Sequence, residues 1–172
     1  GGSLENRIRF PVEVASAMRS VLPETMALGA RITGCEWVDD GFTPEDAVVF
    51  AKALKAEGVD YVDVSSGGNL ASAGIPVGPG YQVPFAAKVK AEARITTRAV
   101  GMIYDARQAD EIISSGQADC VALARAFLDD PRWGLHAAER LGVEVAHPLP
   151  YIAASPKYWP GARLARAAAA SS

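Results

Sequence analysis

The feature that most constrains this chain is a repeated order of amphipathic helix, short apolar strand, then a small or polar strand end. Ser3 is placed to cap a helix over residues 4–20, with Phe10, Val14, Ala17, Met18 and Val21 on one face. Residues 26–33 read as a strand. Thr43 and Pro44 open a second helix that runs to 57, where Glu45 and Asp46 suit the positive end of its dipole and Gly58 stops it. Residues 59–64 form the next strand, ending in Ser65-Ser66-Gly67-Gly68. The segment 69–81 is rich in Gly and Pro without periodicity, and its length suits a lid over a site more than a connector. A helix over 83–93, a strand over 94–98, a helix over 106–115, a strand over 119–123 and a helix over 132–141 follow, before a Pro- and Ala-rich tail.

A weak internal repeat supports this order. Glu57-Gly58-Val59-Asp60 leads into one strand and Ser115-Gly116-Gln117-Ala118-Asp119 into another, each a helix end, a capping glycine and a short apolar run. Strands this apolar imply parallel pairing with both faces covered, hence an α/β fold. Four βα units and a leading helix make either a doubly wound sheet or half of a (β/α)8 TIM-type barrel. Every strand ends in residues fit for ligand contact, which favours the barrel, whose sites lie at the strand C-termini. A doubly wound sheet would concentrate its site at one switch point. At 172 residues the chain is short for a closed barrel of ~250 residues. The expected organisation is a half-barrel over 1–142 and a tail over 143–172, the tail suited to a subunit interface.

A net charge of −3 and the lack of any basic stripe argue against a nucleic-acid partner, because neutralising phosphates demands clustered Lys and Arg. No apolar run approaches the ~20 residues of a membrane span. Cys35 and Cys120 have neither CxxC nor metal-ligand spacing, so free thiols, no metal site and a cytoplasmic location are expected.

The chemical signal lies in small residues at successive strand ends. Ser66, Gly67 and Gly68, then Val100 and Gly101, then Ala124 and Arg125, put backbone N–H groups at strand-to-helix turns, where amides converge on an anion. Arg125 adds a cation with bidentate geometry. A charge inside a strand needs a partner, and Arg31 lies within one. Either it pairs with a carboxylate such as Asp63, or it faces the N1/C2-carbonyl edge of a flavin, whose reduced state a cation favours. Neither a GxGxxG motif nor a P-loop is present.

These residues sit within a longer pattern. Gly1-Gly2-Ser3-Leu4-Glu5-Asn6-Arg7 followed by Arg9-Phe10 closely resembles a signature of the Old Yellow Enzyme family. Asp63-Val64-Ser65-Ser66-Gly67-Gly68, Ile75-Pro76 and Gly78-Pro79-Gly80-Tyr81-Gln82-Val83-Pro84-Phe85-Ala86 resemble its bacterial, thermophilic-like branch. Ala99-Val100-Gly101, Ala122-Leu123-Ala124-Arg125 and Asp130-Pro131-Arg132-Trp133 extend the similarity over 1–142. The resemblance implies an FMN-dependent ene-reductase that uses NAD(P)H to reduce the activated C=C bond of an enone. It implies that Arg31 meets the flavin pyrimidine edge, that Ser66, Gly67 and Gly68 lie near the ribityl chain and phosphate, and that Val100, Gly101, Ala124 and Arg125 hold the phosphate. The family normally has glycine where Ala124 stands. Glu5, Asn6 and Arg7 are expected to brace the barrel, and Trp37 to pack. Arg163 or Arg166 is the candidate for an arginine that reaches a neighbouring subunit.

In the family, the residues that hold the substrate carbonyl and donate the proton precede the GGSLENR segment. The resemblance therefore implies no catalytic residue here, with His136 and His147 structural. The partner it implies is the N-terminal barrel half or, failing that, a second copy of this chain in an oligomer. Two alternatives stand beside this: a flavin-free barrel acting on a phosphorylated metabolite, and a non-catalytic, self-associating half-barrel.

Overall fold

The computed structural model describes residues 1–162 and 164; Arg163 and Arg166, named above for an intersubunit role, lie outside the described residues. In order, the elements are α1 (Leu4–Val21), β1 (Gly29–Thr33), α2 (Pro44–Ala56), β2 (Tyr61–Ser65), α3 (Val83–Ala93), β3 (Thr96–Ala99), α4 (Ala106–Ser114), β4 (Cys120–Val121), α5 (Arg125–Asp129) and α6 (Trp133–Arg140), with a 3-10 turn at Leu149–Ala154. The four strands form one parallel sheet in the order β1-β2-β3-β4. Sequential order without reversal is the winding of a barrel arc. The chain groups into two compact units, one of Gly1–Pro131 and one that starts at Arg132. The helix expected to end the 1–142 region thus groups with the tail.

Local signals explain most of these elements. The Ser3 side chain accepts from the Asn6 amide, and Thr43 and Asp46 form a reciprocal capping box ahead of the Pro44 turn. Gly58 and Gly116 take φ of 83° and 80°, the left-handed angle at which a helix end turns toward the next strand. The repeat is structural as well. Asp60 accepts the Leu28 amide at 2.7 Å and returns its own N–H to Leu28 O, and Asp119 does the same with Thr97, its carboxylate accepting at 2.9 Å. Each aspartate therefore pins the start of its strand to the strand before it.

Successive side chains of a strand point to opposite faces. On one face Ile32, Val62, Val64, Thr97 and Ala99 are buried under α2, α3 and α4, whose inner residues include Ala47, Val48, Ala51, Leu54, Ala86 and Val89. The opposite face carries Arg31, Asp63 and Arg98 in one register row, partly open to solvent. That face corresponds to the interior of a barrel.

Several expected boundaries move. β1 starts at Gly29 rather than at 26, because Met26 closes a turn onto Pro23 O. β3 starts at Thr96 rather than 94, because Arg94 is the left-handed C-cap of α3. β4 keeps only Cys120 and Val121 of the expected 119–123, having a single neighbouring strand to pair with. The largest departure is α1. Its expected core face is exposed, with Phe10 at 72% and Val21 at 79%, and only Ala15 is buried. A helix in a βα repeat packs over two adjacent strands, and among the described residues β1 has no neighbour on that side.

Candidate active site at the strand tips

Parallel pairing brings all four strand C-termini to one edge of the sheet. The tips are stitched together there. Gly34 N donates to Ser65 O at 2.6 Å and Gly67 N to Cys35 O at 2.8 Å, joining the ends of β1 and β2. Gln82, buried at the start of α3, accepts from both the amide and the hydroxyl of Ser66. Trp37 donates its indole N–H to the Ser66 hydroxyl at 2.9 Å and meets the Phe85 ring edge-on with centroids 5.3 Å apart. Trp37 therefore combines the expected packing role with a hydrogen bond. At the end of β3, Gly101 turns at φ 117° against the Gln82 side chain. Gln82 thus links the tips of β2 and β3 directly, and β1 joins them through Trp37 and Ser66.

This network leaves fewer uncommitted amides at the tips than expected. The amides of Ser66 and Gly67 are already committed to Gln82 and Cys35. Gly68 remains open, with φ 92° and nothing near the position of a Cβ. At the β3 tip, Gly101 is followed by Met102 at φ 52°, a left-handed angle that costs a non-glycine residue energy and clusters at functional sites. The amides of Gly68 and Gly101 donate no hydrogen bond among the described residues. Ala124 and Arg125 follow β4, both exposed, and the turn there is the short helix α5, where a simple turn was expected. Val100 is half-buried between Ala99 and Gly101.

Arg31 does not pair with Asp63. Its Nε donates to Ser65 Oγ at 2.9 Å, whereas Asp63 is held by Arg98 through Nε and Nη2. Arg31 thus has no counterion among the described residues. Gln82 and Arg98 were not among the sequence candidates. The argument that singled out Arg31, a charge inside a strand, applies equally to Arg98 in Thr96–Ala99. For Gln82 the only sequence hint is a polar residue before a Pro-containing helix start that makes no cap bond.

Arg7, expected to brace the barrel, reaches Asp46 at the start of α2 at 3.5 Å and the Phe42 ring at 5.8 Å. His147 stands 4.0 Å from Glu139, in the unit that starts at Arg132. No group of three His, Cys, Asp or Glu side chains suited to a metal exists among the described residues. No helix among them is long and apolar enough to cross a membrane.

The expected lid, residues 69–81, is tied at both ends. Gly80 N donates to Gly101 O at 2.9 Å, and Asn69 Nδ2 to Glu36 Oε1 at 2.9 Å. The Phe42 amide and then Asn69 hold the Glu36 carboxyl below the usual glutamate range. A depressed native pKa makes this tie fully present above the unfolded pKa and lost as pH falls through the lower native value. Protection of residues 69–72 from hydrogen exchange, taken relative to the intrinsic rate at each pH, is therefore expected to fall only below the ordinary glutamate range, and Glu36→Gln to remove that pH dependence. Protection that is lost already near neutral pH would contradict this.

A family model described as NADH:flavin oxidoreductase / NADH oxidase matches residues 1–144. The chain is 44% identical over 151 residues to an NADPH dehydrogenase of Geobacillus sp. (strain WCH70), and 40% identical over 151 residues to one of Bacillus subtilis (strain 168). Each alignment covers 88% of this chain and 44% of the relative. The chain thus spans less than half the length of these curated relatives. Among solved structures it superposes on morphinone reductase with a TM-score of 0.62 and 26% identity, over 88% of this chain and 39% of that one. The sheet is accordingly part of a (β/α)8 barrel.

Proposed function

Because the chain belongs to the NADH:flavin oxidoreductase / NADH oxidase family, the Old Yellow Enzyme family, we propose that it is the FMN-holding half of a barrel that reduces activated C=C bonds of α,β-unsaturated carbonyl compounds with NAD(P)H. The observation that carries this reading is the pair of cations that have no counterion among the described residues. Arg31 lies on the open face and Arg125 at the β4 tip, along one edge of four parallel strands. These residues fit a phosphorylated flavin: Arg125 with the Gly101 and Ala124 turns for the phosphate, Gly68 beside the ribityl chain, Arg31 at the pyrimidine edge. FMN, when bound, would supply hydride transfer from NAD(P)H to the alkene. The chain's own residues bind and orient it, and keep a positive charge where the ring becomes more negative. Ser66 and Gly67 act indirectly, by holding the tips in register.

The substrate-holding and proton-donating residues come from a second barrel half in this reading. The edges of β1 and β4, the charged inner face and the apolar stripe of α1 are the surfaces it would cover. Both cysteines are free, which suits a reducing cytoplasm. The test is a titration of FMN into this chain together with the remaining half of its barrel, followed by NADPH oxidation on addition of an enone. Flavin absorbance and enone-dependent turnover are expected. A colourless protein that binds a sugar phosphate instead would establish the flavin-free alternative, and assembly only with a second copy would establish the self-associating one.

A further inference from the structure

One register row of the sheet sets Arg31, Asp63, Arg98 and Cys120 on four adjacent strands. A single carboxylate therefore stands between two guanidinium groups, each one strand away, a spacing of ~4.8 Å between backbones. The structure decides that competition in one direction. Arg98 takes both carboxylate oxygens, with Nη2 at 2.6 Å from Oδ2, and its Cζ lies 5.1 Å from the centre of the Tyr61 ring. Arg31 leans toward the strand tips, onto Ser65 in the next row of the same face. It holds one neutral acceptor there.

We propose that Arg98 is a positioning residue for Arg31: by occupying Asp63 it keeps the Arg31 guanidinium uncommitted and directed toward the strand tips. A guanidinium binds a carboxylate more strongly than a neutral hydroxyl, because both partners are then charged and the contact can be bidentate. An Asp63 released by Arg98 would therefore draw Arg31 down from Ser65 and neutralise it. The row also carries two cations against one anion, so it keeps a net positive charge as long as both arginines stay. Arg98 sets the field at the flavin edge without touching it. This rests on the reading that FMN lies over these tips with its pyrimidine edge at Arg31.

The experiment compares Arg98→Ala, Asp63→Asn and the double variant in the FMN-loaded protein with its barrel complete. The readouts are the FMN dissociation constant and the midpoint potential of the bound flavin. Arg98→Ala is expected to weaken FMN binding about tenfold, the scale of one partly screened charge contact, and to shift the potential negative. Asp63→Asn frees Arg98, leaves Arg31 uncommitted and removes one negative charge from the row, and is expected to shift the potential positive. The double variant, with no carboxylate to capture Arg31, is expected to recover from the Arg98→Ala value. A purely structural ion pair predicts the same direction for both single variants and no recovery, and either result overturns the proposal. Should Arg98→Ala fail to fold, the sign of the Asp63→Asn shift decides alone. Wild-type protein that binds no FMN would remove the flavin reading itself, whereas FMN bound with potentials unmoved by these variants removes only this inference.

Discussion

Gly101→Ala is expected to destabilise the protein by roughly 2–6 kcal/mol, from about 1–3 kcal/mol for backbone strain and a similar cost for a displaced buried amide. Two independent observations set that scale. Gly101 sits at φ 117°, where a side chain is strained whatever the space. Its added Cβ would also stand 2.8 Å from Gln82 Nε2 and 3.0 Å from Gln82 Cβ and Cγ. Gln82 cannot move freely, since its Oε1 accepts both the amide and the hydroxyl of Ser66, and that hydroxyl also accepts from Trp37. Shifting it would leave a buried donor unpaired and loosen three strand tips at once. Urea denaturation checks the stability, and loss of FMN from the variant checks the site. A variant with wild-type stability would mean that the β3 tip relaxes without involving Gln82.

Arg125→Ala is expected to weaken FMN binding roughly tenfold to a hundredfold, the worth of about 1.5–3 kcal/mol for a hydrogen bond to a charged group. Arg125 follows β4 directly, is exposed, and has no internal acceptor among the described residues. Removing it therefore leaves no buried partner stranded, and stability should hardly change. That separates its outcome from that of Gly101→Ala, in which binding and stability fall together. Isothermal titration with FMN against Lys52→Ala, an exposed change on α2, reads the effect. Equal dissociation constants for the two variants would take the phosphate away from the β4 tip.

Elements governed by neighbours in the chain were legible without coordinates. Ser3, the Thr43-Pro44 pair, Gly58 and Gly116 act within one turn of backbone, so their residue types suffice to place helix ends. Alternation of helix and apolar strand was enough for the parallel sheet, and the residues at the strand ends favoured a barrel arc over a doubly wound sheet. The strand tips could be named for the same reason. Small residues there are visible in sequence whether or not their amides are free.

Whether those amides are free is a matter of partners far along the chain. Ser66 is sixteen residues from the Gln82 that occupies its N–H, and Gly67 is joined to Cys35 across two strands. Asp63 had two arginines within reach of one register row, and nothing in the order of residues says which it takes. The α1 stripe reads as core because its periodicity is right, yet burial needs a second surface and the described residues offer none. Sequence by itself determined the local conformations and the inventory of charges and amides at the tips. Tertiary structure alone decided which of them remain uncommitted, because hydrogen bonds and ion pairs are competitions settled by distance in space.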